Sequence, residues 1–347
     1  MDKVDLKSMT LPKLEAYCAS IGLPKFRAGQ IFQWLHEKQV DSFDEMTNLS
    51  ADLREKLKEN CFISGISIRR KLVSQIDGTT KYLFEFADGE TVESVLMQYK
   101  HGYSLCISTQ VGCRMGCKFC ASTLLGLARS LTPAEMLNEV YMAGKDSGHK
   151  ISSIVLMGIG EPLDNFDNVM DFLDILSSPK GLNLSLRHVS LSTCGLVEGI
   201  YKLMEKKLQL TLSISLHAPN DEIRNQTMPI NRKHSIEELL TACREYFRVT
   251  GRRISFEYAL IEGVNDTPAC AQELASRLRG MSAHVNLIPV NPVKERDYKK
   301  SSKERIRRFQ EILEKHHINA TVRRELGSDI NAACGQLRRD DKGGGTC

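Results

Sequence analysis

The sequence lacks any apolar run long enough to cross a membrane, and it lacks the apolar segment of an N-terminal secretion signal. A membrane-spanning helix needs about 20 mostly apolar residues, whereas charged residues make up 26% of this 347-residue chain. The first ten residues, MDKVDLKSMT, include four charged side chains and no apolar core of the kind that signal peptides carry. We therefore expect a cytoplasmic protein.

Strong net charge is also absent, which argues against a purely electrostatic binding protein. The formal net charge is only +4, and hydrophobic residues account for 41% of the chain, as in ordinary globular proteins. The charge is uneven, because residues 291–347 contain 14 Lys/Arg against 9 Asp/Glu. The densest part, KKSSKERIRR at 299–308, is typical either of a phosphate-binding patch or of a solvated helix face.

Cysteine, by contrast, is plentiful, with eleven in the chain. A cytosolic location keeps thiols reduced, so these residues do not indicate a disulfide-stapled secreted scaffold. Clustered cysteines in such a protein more often bind a metal or take part in chemistry.

Periodicity predicts two kinds of local structure before residue 100. Residues 1–60 carry apolar side chains at helical spacing in LPKLEAYCASIG and FRAGQIFQWLHEK, and Ser50 is a suitable N-cap for ADLREKLKEN. Residues 66–99 change to β-favouring runs, in which TKYLFEF and TVESVLMQY flank the turn signal ADGE. We predict a small helical domain followed by a β-hairpin.

From residue 103 onward, apolar β-branched runs alternate with amphipathic stretches such as TPAEMLNEVYMAG and IEELLTACREYF. The predicted strands are SLCIST, ISSIVLMG, RHVSLST, LTLSISLH, RISFEYALI and HVNLIPV. Six such strands predict an α/β fold of parallel βα units, closed or open as a barrel. Functional residues of these folds collect after the strand ends, where chemically reactive residues follow each predicted strand here.

Three cysteines follow the first of these strands in GCRMGCKFCA, at Cys113, Cys117 and Cys120. A structural zinc ion requires four ligands in a closed tetrahedron, and no fourth ligand is near in the sequence. Three thiolates can instead hold three irons of a 4Fe-4S cluster and leave the fourth iron open. An open iron can bind S-adenosylmethionine, whose reductive cleavage yields a 5′-deoxyadenosyl radical.

The C-x3-C-x2-C spacing resembles the signature of the radical SAM superfamily, and GIGEP at 158–162 resembles its SAM-contacting motif. Further motifs are similar to those of the RlmN-type dual-specificity 23S rRNA and tRNA adenine methyltransferases. They are VESV, SLCISTQVGC, GIGEPLDN, ISLHAPNDEIRNQTMPIN, NLIPVNP and DINAACGQL, in this order along the chain. The resemblance implies a partial (β/α)6 radical SAM barrel at 100–335, after an N-terminal helical RNA-binding domain (1–65) and a β-hairpin linker (66–99), with a flexible tail at 336–347.

The same resemblance assigns roles to three residues outside the cluster motif. Carbon 2 of adenine is electron-poor and has no lone pair, so it cannot attack a sulfonium methyl group, which is why a radical route is needed. By resemblance, Cys334 takes a methyl group from one SAM and, after a second SAM supplies the radical, forms a covalent adduct with the base. Cys106 then forms a transient disulfide with Cys334, and Glu93 accepts the proton from the ring carbon.

Cofactor contacts and partners follow from the resemblance as well. The SAM-binding residues carried over are Gly160, Glu161, Ser192, Ser215, Leu216, His217 and Asn291. The implied partners are 23S rRNA, tRNA and an electron donor such as flavodoxin or ferredoxin. We expect a monomer, with the helical domain and the 299–308 segment contacting the RNA backbone.

Three alternatives remain at this point. A resistance-type enzyme that methylates carbon 8 of the same rRNA adenosine shares the cluster cysteines and both reactive cysteines. A non-catalytic iron–sulfur RNA-binding protein would bind RNA without cleaving SAM. A zinc-stabilised RNA-binding module would contain zinc and no iron.

Overall fold

The computed structural model describes residues 3–291 and 297–332. Its N-terminal region consists of helices and a small two-stranded sheet. Its helices are α1 (Leu11–Ser20), α2 (Lys25–His36) and α3 (Ala51–Asn60), and its two parallel strands are β1 (Val4–Asp5) and β2 (Cys61–Phe62). The predicted cap is confirmed, since the Ser50 hydroxyl accepts a hydrogen bond from the third residue of α3.

This helical region packs against the following domain through buried polar contacts. Lys7, which is 1% exposed, donates from Nζ to Asn138 Oδ1 at 3.0 Å. A 3.0 Å hydrogen bond joins His36 Nδ1 to the hydroxyl of Tyr141. Burial of both imidazole and hydroxyl away from water requires such a partner, so the two regions are held in a specific orientation.

Three antiparallel strands connect the helical region to the rest of the molecule: β3 (Ser67–Val73), β4 (Thr80–Glu85) and β5 (Thr91–Tyr99). The predicted hairpin is confirmed as β4–β5, whose turn contains Gly89 at φ +79°. The hairpin is not isolated, because β5 pairs with the first strand of the barrel.

The main sheet contains the six predicted strands as parallel neighbours, and a seventh short strand extends it. Their bounds are β6 (Gly102–Ile107), β9 (Ile151–Leu156), β10 (Val189–Thr193), β11 (Thr211–Ser215), β12 (Ile254–Leu260), β13 (Ala283–Pro289) and β14 (Asn319–Val322). The order across the sheet is β14-β13-β12-β11-β10-β9-β6-β5-β4-β3. A separate ribbon, β7 (Gln110–Gly112) with β8 (Leu127–Ser130), frames the three-cysteine loop.

Helices separate successive parallel strands and cover the outside of the sheet. They are α4 (Pro133–Ser147), α5 (Phe166–Ser177), α6 (Val197–Glu205), α7 (Asp221–Thr227), α8 (Ile236–Thr250), α9 (Pro268–Leu278) and α10 (Lys303–Lys315). The predicted helix at TPAEMLNEVYMAG begins with a capping box between Thr132 and Glu135 and ends at Gly148 in the left-handed conformation. Within the described residues, no helix is long and apolar enough to cross a membrane.

Because β6 and β9–β14 run parallel, their C-terminal ends lie at one end of the sheet. The loops after β6, β9, β10 and β11 therefore meet there. The sheet ends at β14 on one side and β3 on the other, so it forms an open barrel. The candidate site lies in this opening.

Candidate active site

The three-cysteine loop is folded by backbone contacts that only glycine permits at one position. Gly112 lies at φ +81°, and a Cβ there would be 1.8 Å from the carbonyl oxygen of Gly126. This close approach lets the Cys113 N–H donate to that same oxygen at 3.0 Å. Farther along, the hydroxyl of Thr123 donates to the carbonyls of Cys117 and Cys120. The loop is thereby closed on itself.

All three sulfurs line one cavity of about 280 Å³. Burial raises the pKa of Cys113 to about 12 and raises that of Cys117 as well, where repulsion from the neighbouring thiolates adds to the effect. Thiolates in such surroundings require a bound cation. Within ranges 3–291 and 297–332, no three His, Cys, Asp or Glu side chains converge on a single ion. Three cysteine sulfurs are a donor set that fits a cluster in which each thiolate binds a different iron.

The GIGEP loop after β9 is built around a buried carboxylate. Glu161, 3% exposed, accepts hydrogen bonds from the backbone N–H groups of Leu163 (3.0 Å) and Cys194 (2.7 Å). Burial raises the pKa of Glu161, while these hydrogen bonds favour its ionised form. Gly160 lies at φ +111°, where a Cβ would be 2.7 Å from Gln110. Glu161 thus ties its loop to the end of β10, and Gly160 presents bare backbone to the cavity.

The wall opposite the cysteines is polar and comes from the ends of β10 and β11. Ser192 and Ser215 lie side by side, with their hydroxyl oxygens 3.4 Å apart, and both line the cavity. His217 also lines it, and its Nδ1 accepts a hydrogen bond from the Ala259 N–H. The side chain of Leu216 points instead into the apolar core, at 1% exposure.

The imidazole of His217 is neutral, and its single N–H is at a defined ring nitrogen. Burial, helped by the nearby Arg224 cation, lowers the pKa of His217 to about 3. Because Nδ1 is the acceptor, the ring proton resides on Nε2. The ring meets Phe119 edge-on, with centroids 4.9 Å apart. His217 can therefore offer one N–H at the cavity wall at neutral pH.

Sequence reasoning missed Arg224, a fully buried side chain that holds this wall together. Its guanidinium donates to the carbonyls of Cys194 (2.7 Å), Ser215 (3.2 Å) and Leu216 (3.1 Å). It donates to Asn231 as well, at 3.0 Å. Arg224 thus locks the ends of β10 and β11 in register. Its signal in the sequence was a charged residue inside the motif NDEIRNQTMPIN.

Glu257, on β12, was also missed. It is 4% exposed and lines the cavity, with Ser255 and Asn286 donating to its two carboxylate oxygens at 3.0 and 2.7 Å. Burial raises the pKa of Glu257. A buried carboxylate in a ligand-sized cavity marks a polar subsite.

A second cavity, of about 440 Å³, adjoins the first and contains Cys106. Ile288, Asn291 and Arg323 line both cavities, so the two are neighbours that share these wall residues. Cys106 is 4% exposed and packs with Val95 and Met97 of β5. Of the predicted site residues, Asn291 therefore borders both cavities, whereas Cys106 lines the second and the three cluster cysteines line the first.

Glu93 lies on β5 two residues before Val95, so both side chains lie on the same face of the strand. At 2% exposure, its carboxylate pairs with Lys81 Nζ at 2.9 Å. The predicted proton acceptor is therefore buried as an ion pair beside the second cavity.

The chain returns to this cavity after β14. Leu326 and Ala332 pack against the cluster formed by Val95, Met97 and Cys106. The predicted methyl carrier, Cys334, lies outside the described residues, as do the predicted tail 336–347 and Cys347. The described chain ends at Ala332, two positions before Cys334.

Family models match two parts of the chain. The model described as the ribosomal RNA large subunit methyltransferase N-terminal domain matches residues 4–63. The model of the radical SAM superfamily matches residues 107–271.

Curated relatives match nearly the whole chain. A probable dual-specificity RNA methyltransferase RlmN of Lachnospira eligens is 55% identical over 96% of this chain and 95% of its own length. A protein of the same description from Alkaliphilus oremlandii is 56% identical over 98% of each. Among solved structures, a radical SAM methyltransferase from Sphaerobacter thermophilus superposes with a TM-score of 0.90 at 43% identity, covering 96% of this chain and 98% of its own.

Proposed function

This chain belongs to the family of RlmN dual-specificity RNA methyltransferases, and we propose that it methylates carbon 2 of adenosine in 23S rRNA and in tRNA. The single observation that carries the proposal is that two neighbouring cavities hold the two sets of cysteines. Cys113, Cys117 and Cys120 line the first cavity and Cys106 lines the second, and the two share the wall residues Ile288, Asn291 and Arg323. We place the adenine base where the two cavities meet.

Cys113, Cys117 and Cys120 would hold a 4Fe-4S cluster, with S-adenosylmethionine against the polar wall. When both are bound, the cluster and S-adenosylmethionine together supply a 5′-deoxyadenosyl radical. Gly160 allows close backbone approach, while the hydroxyls of Ser192 and Ser215, the Nε2–H of His217 and the amide of Asn291 can bind polar groups of the ligand. Glu161 and Leu216 support this wall from within the protein, because the Glu161 carboxylate is engaged, the Leu216 side chain lies in the core, and the backbone N–H and C=O groups of both are hydrogen-bonded.

We assign the methyl carrier to Cys334, the proton acceptor to Glu93 and the releasing thiol to Cys106. Two residues of chain span at most about 7 Å, and Ala332 packs in the cluster that contains Cys106. A disulfide needs Cα atoms about 4.4–6.8 Å apart, so the separation along the chain is compatible with a Cys106–Cys334 bond. That bond would form as the Cys106 thiolate attacks the Cys334 sulfur and the sulfur–carbon bond of the adduct breaks. The electron pair of the broken bond stays on the carbon, which takes up a proton to become the methyl group, and the base is freed.

We propose further that residues 1–65 and the 299–308 segment contact the RNA backbone, that a flavodoxin or ferredoxin supplies electrons, and that a monomer acts in the cytoplasm. The basic segment is partly engaged within the protein. Lys300 pairs with Glu325 at 2.8 Å, and Arg305 pairs with Asp266 at 3.0 Å. Exposed pairs of this kind contribute little free energy, so phosphates can replace the carboxylates at Lys300.

The experiment is mass spectrometry of nucleosides from rRNA and tRNA after expression in cells without their own enzyme. We expect 2-methyladenosine in both pools, and none with the Cys334→Ala variant. A Cys243→Ala variant is the matched control, because this buried cysteine lies in the apolar core and should leave the product unchanged.

8-Methyladenosine as the product would refute the carbon-2 assignment in favour of the resistance-type reaction. Methylation that persists in Cys334→Ala would contradict the role of Cys334.

A further inference from the structure

Lys81 is a buried lysine that joins two parts of the candidate site. It is 1% exposed, and its Nζ lies 2.9 Å from the Glu93 carboxylate. The same nitrogen donates to the backbone carbonyl of Asn331 at 3.0 Å. An ammonium has three donors, so it can hold both acceptors at once. Asn331 is three positions before Cys334.

Strand register places Lys81 in the same row as Cys106. Lys81 of β4 pairs with Val95 of β5, which in turn pairs with Cys106 of β6. Directly paired residues project from the same face of a sheet. Lys81, Val95 and Cys106 therefore form a line across three strands, and Ala332 packs against the apolar cluster that contains Val95 and Cys106.

The β3–β4 turn anchors the same C-terminal segment by reciprocal carboxylate contacts. Asp329 accepts hydrogen bonds from the Ser74 hydroxyl (2.7 Å) and the Gln75 N–H (2.9 Å). In the opposite direction, Asp77 accepts from the Gly327 N–H at 2.9 Å. These contacts hold residues 327–329, and the Lys81 contact with Asn331 is the one nearest to Cys334 along the chain.

We propose that Lys81 is a positioning residue that sets the separation between the proton acceptor Glu93 and the segment carrying Cys334. One ammonium orients the carboxylate and holds the Asn331 carbonyl, so base and methyl carrier are placed relative to each other through a single atom. The inference deepens the proposed function and depends on it for the roles of Glu93 and Cys334. The geometry of Lys81 itself does not depend on that function.

The decisive measurement is the rate at which Cys106 and Cys334 form a disulfide in the full-length, cluster-loaded protein without RNA. Diamide at stoichiometric amounts takes up the two electrons and two protons of the thiols, and peptide mass spectrometry quantifies the linked pair. The rate depends on how often the two sulfurs meet, so it measures the position of the segment without turnover.

Four variants separate positioning from general damage. Lys81→Met removes both contacts, and Glu93→Gln keeps an acceptor for Lys81 while abolishing the base. The double variant Lys81→Met/Glu93→Gln leaves no unpaired buried charge, so it remains folded if Lys81→Met alone does not. Lys71→Met is the control, since Lys71 lies on the neighbouring strand β3 in a half-exposed pair with Asp146.

We expect Lys81→Met and the double variant to form the disulfide about tenfold or more slowly than the parent, the effect of losing one hydrogen bond from a charged donor. Glu93→Gln and Lys71→Met should keep the parental rate. Among these, only Lys71→Met should retain carbon-2 methylation.

A double variant that forms the disulfide as fast as Glu93→Gln overturns the proposal, because Lys81 would then act on Glu93 alone. Failure of the proposed function has a different signature. In that case the parent protein itself produces no 2-methyladenosine, while the disulfide rates still test the position of the segment.

Discussion

Replacing Gly112 by alanine tests whether the loop geometry determines cluster binding. The added Cβ would lie 1.8 Å from the Gly126 carbonyl oxygen, and real Cβ atoms essentially never come within 3.0 Å of such an atom. The β7–β8 ribbon must therefore open by at least 1.2 Å at this point. Cys113, the next residue, would move with it.

Gly112→Ala should lower the free energy of unfolding for three reasons. An alanine in the positive-φ region costs about 1–2 kcal/mol, overpacking costs about 1–3 kcal/mol, and loss of the Cys113–Gly126 hydrogen bond costs about 1 kcal/mol. We expect a destabilisation of about 3–6 kcal/mol. Metal sites tolerate ligand displacements of only about 0.2 Å, so iron binding should be lost in protein that remains folded.

Gly126→Ala is the matched control on the opposite strand end. Gly126 is also at positive φ, +67°, but a Cβ there meets nothing within 4 Å. The Gly126→Ala variant should lose only about 1–2 kcal/mol of its free energy of unfolding, from the positive-φ backbone conformation. This variant should still bind iron. Urea unfolding under anaerobic conditions measures the stability, and iron content with visible absorbance after reconstitution measures the cluster. Equal iron content in the Gly112 and Gly126 variants would refute the reasoning.

Two further predictions concern pH and RNA. Burial lowers the pKa of His36 to about 3 in the folded protein. Below about pH 6.5, His36 therefore takes up a proton in the unfolded chain but not in the folded one. The free energy of unfolding accordingly falls as the pH drops. His36→Phe/Tyr141→Phe should weaken this dependence in urea unfolding between pH 7 and 5; an unchanged slope would contradict it. Charge reversal at Lys299, Lys300 and Arg307 should weaken RNA binding and reduce its salt dependence, and unchanged values for both would exclude this segment from the interface.

Much of the fold could be predicted because the parallel strands are buried on both sides. Runs such as RHVSLST and LTLSISLH are short, apolar and β-branched, and helical stretches separate them. The position of the site followed from the same pattern, since the residues after each strand meet at one end of the sheet. Cys113, Ser192 and His217 accordingly share a cavity.

The features that escaped prediction depend on tertiary contacts. Strand β14 has four residues, of which Ala320 alone is buried, so it shows no periodic pattern. Lys81 and Arg224 are charged residues whose types are usually exposed, and only long-range partners explain their burial. Lys81 did carry a local signal, because it lies on the same strand face as Leu83, which is fully buried.

The anchoring of the C-terminal segment has a consequence for how the enzyme is assembled. The contacts of Lys81, Ser74 and Asp77 with this segment join residues 250 or more positions apart. Contacts between residues so far apart in the chain have a loop-closure entropy cost. During synthesis the N-terminal parts of a chain also fold first, so these contacts form last. The cysteine loop and its polar wall are complete by Asn291, before the segment that covers the second cavity emerges from the ribosome. The nascent protein thus presents its cysteine loop and polar wall before residues 326–332 pack beside the second cavity.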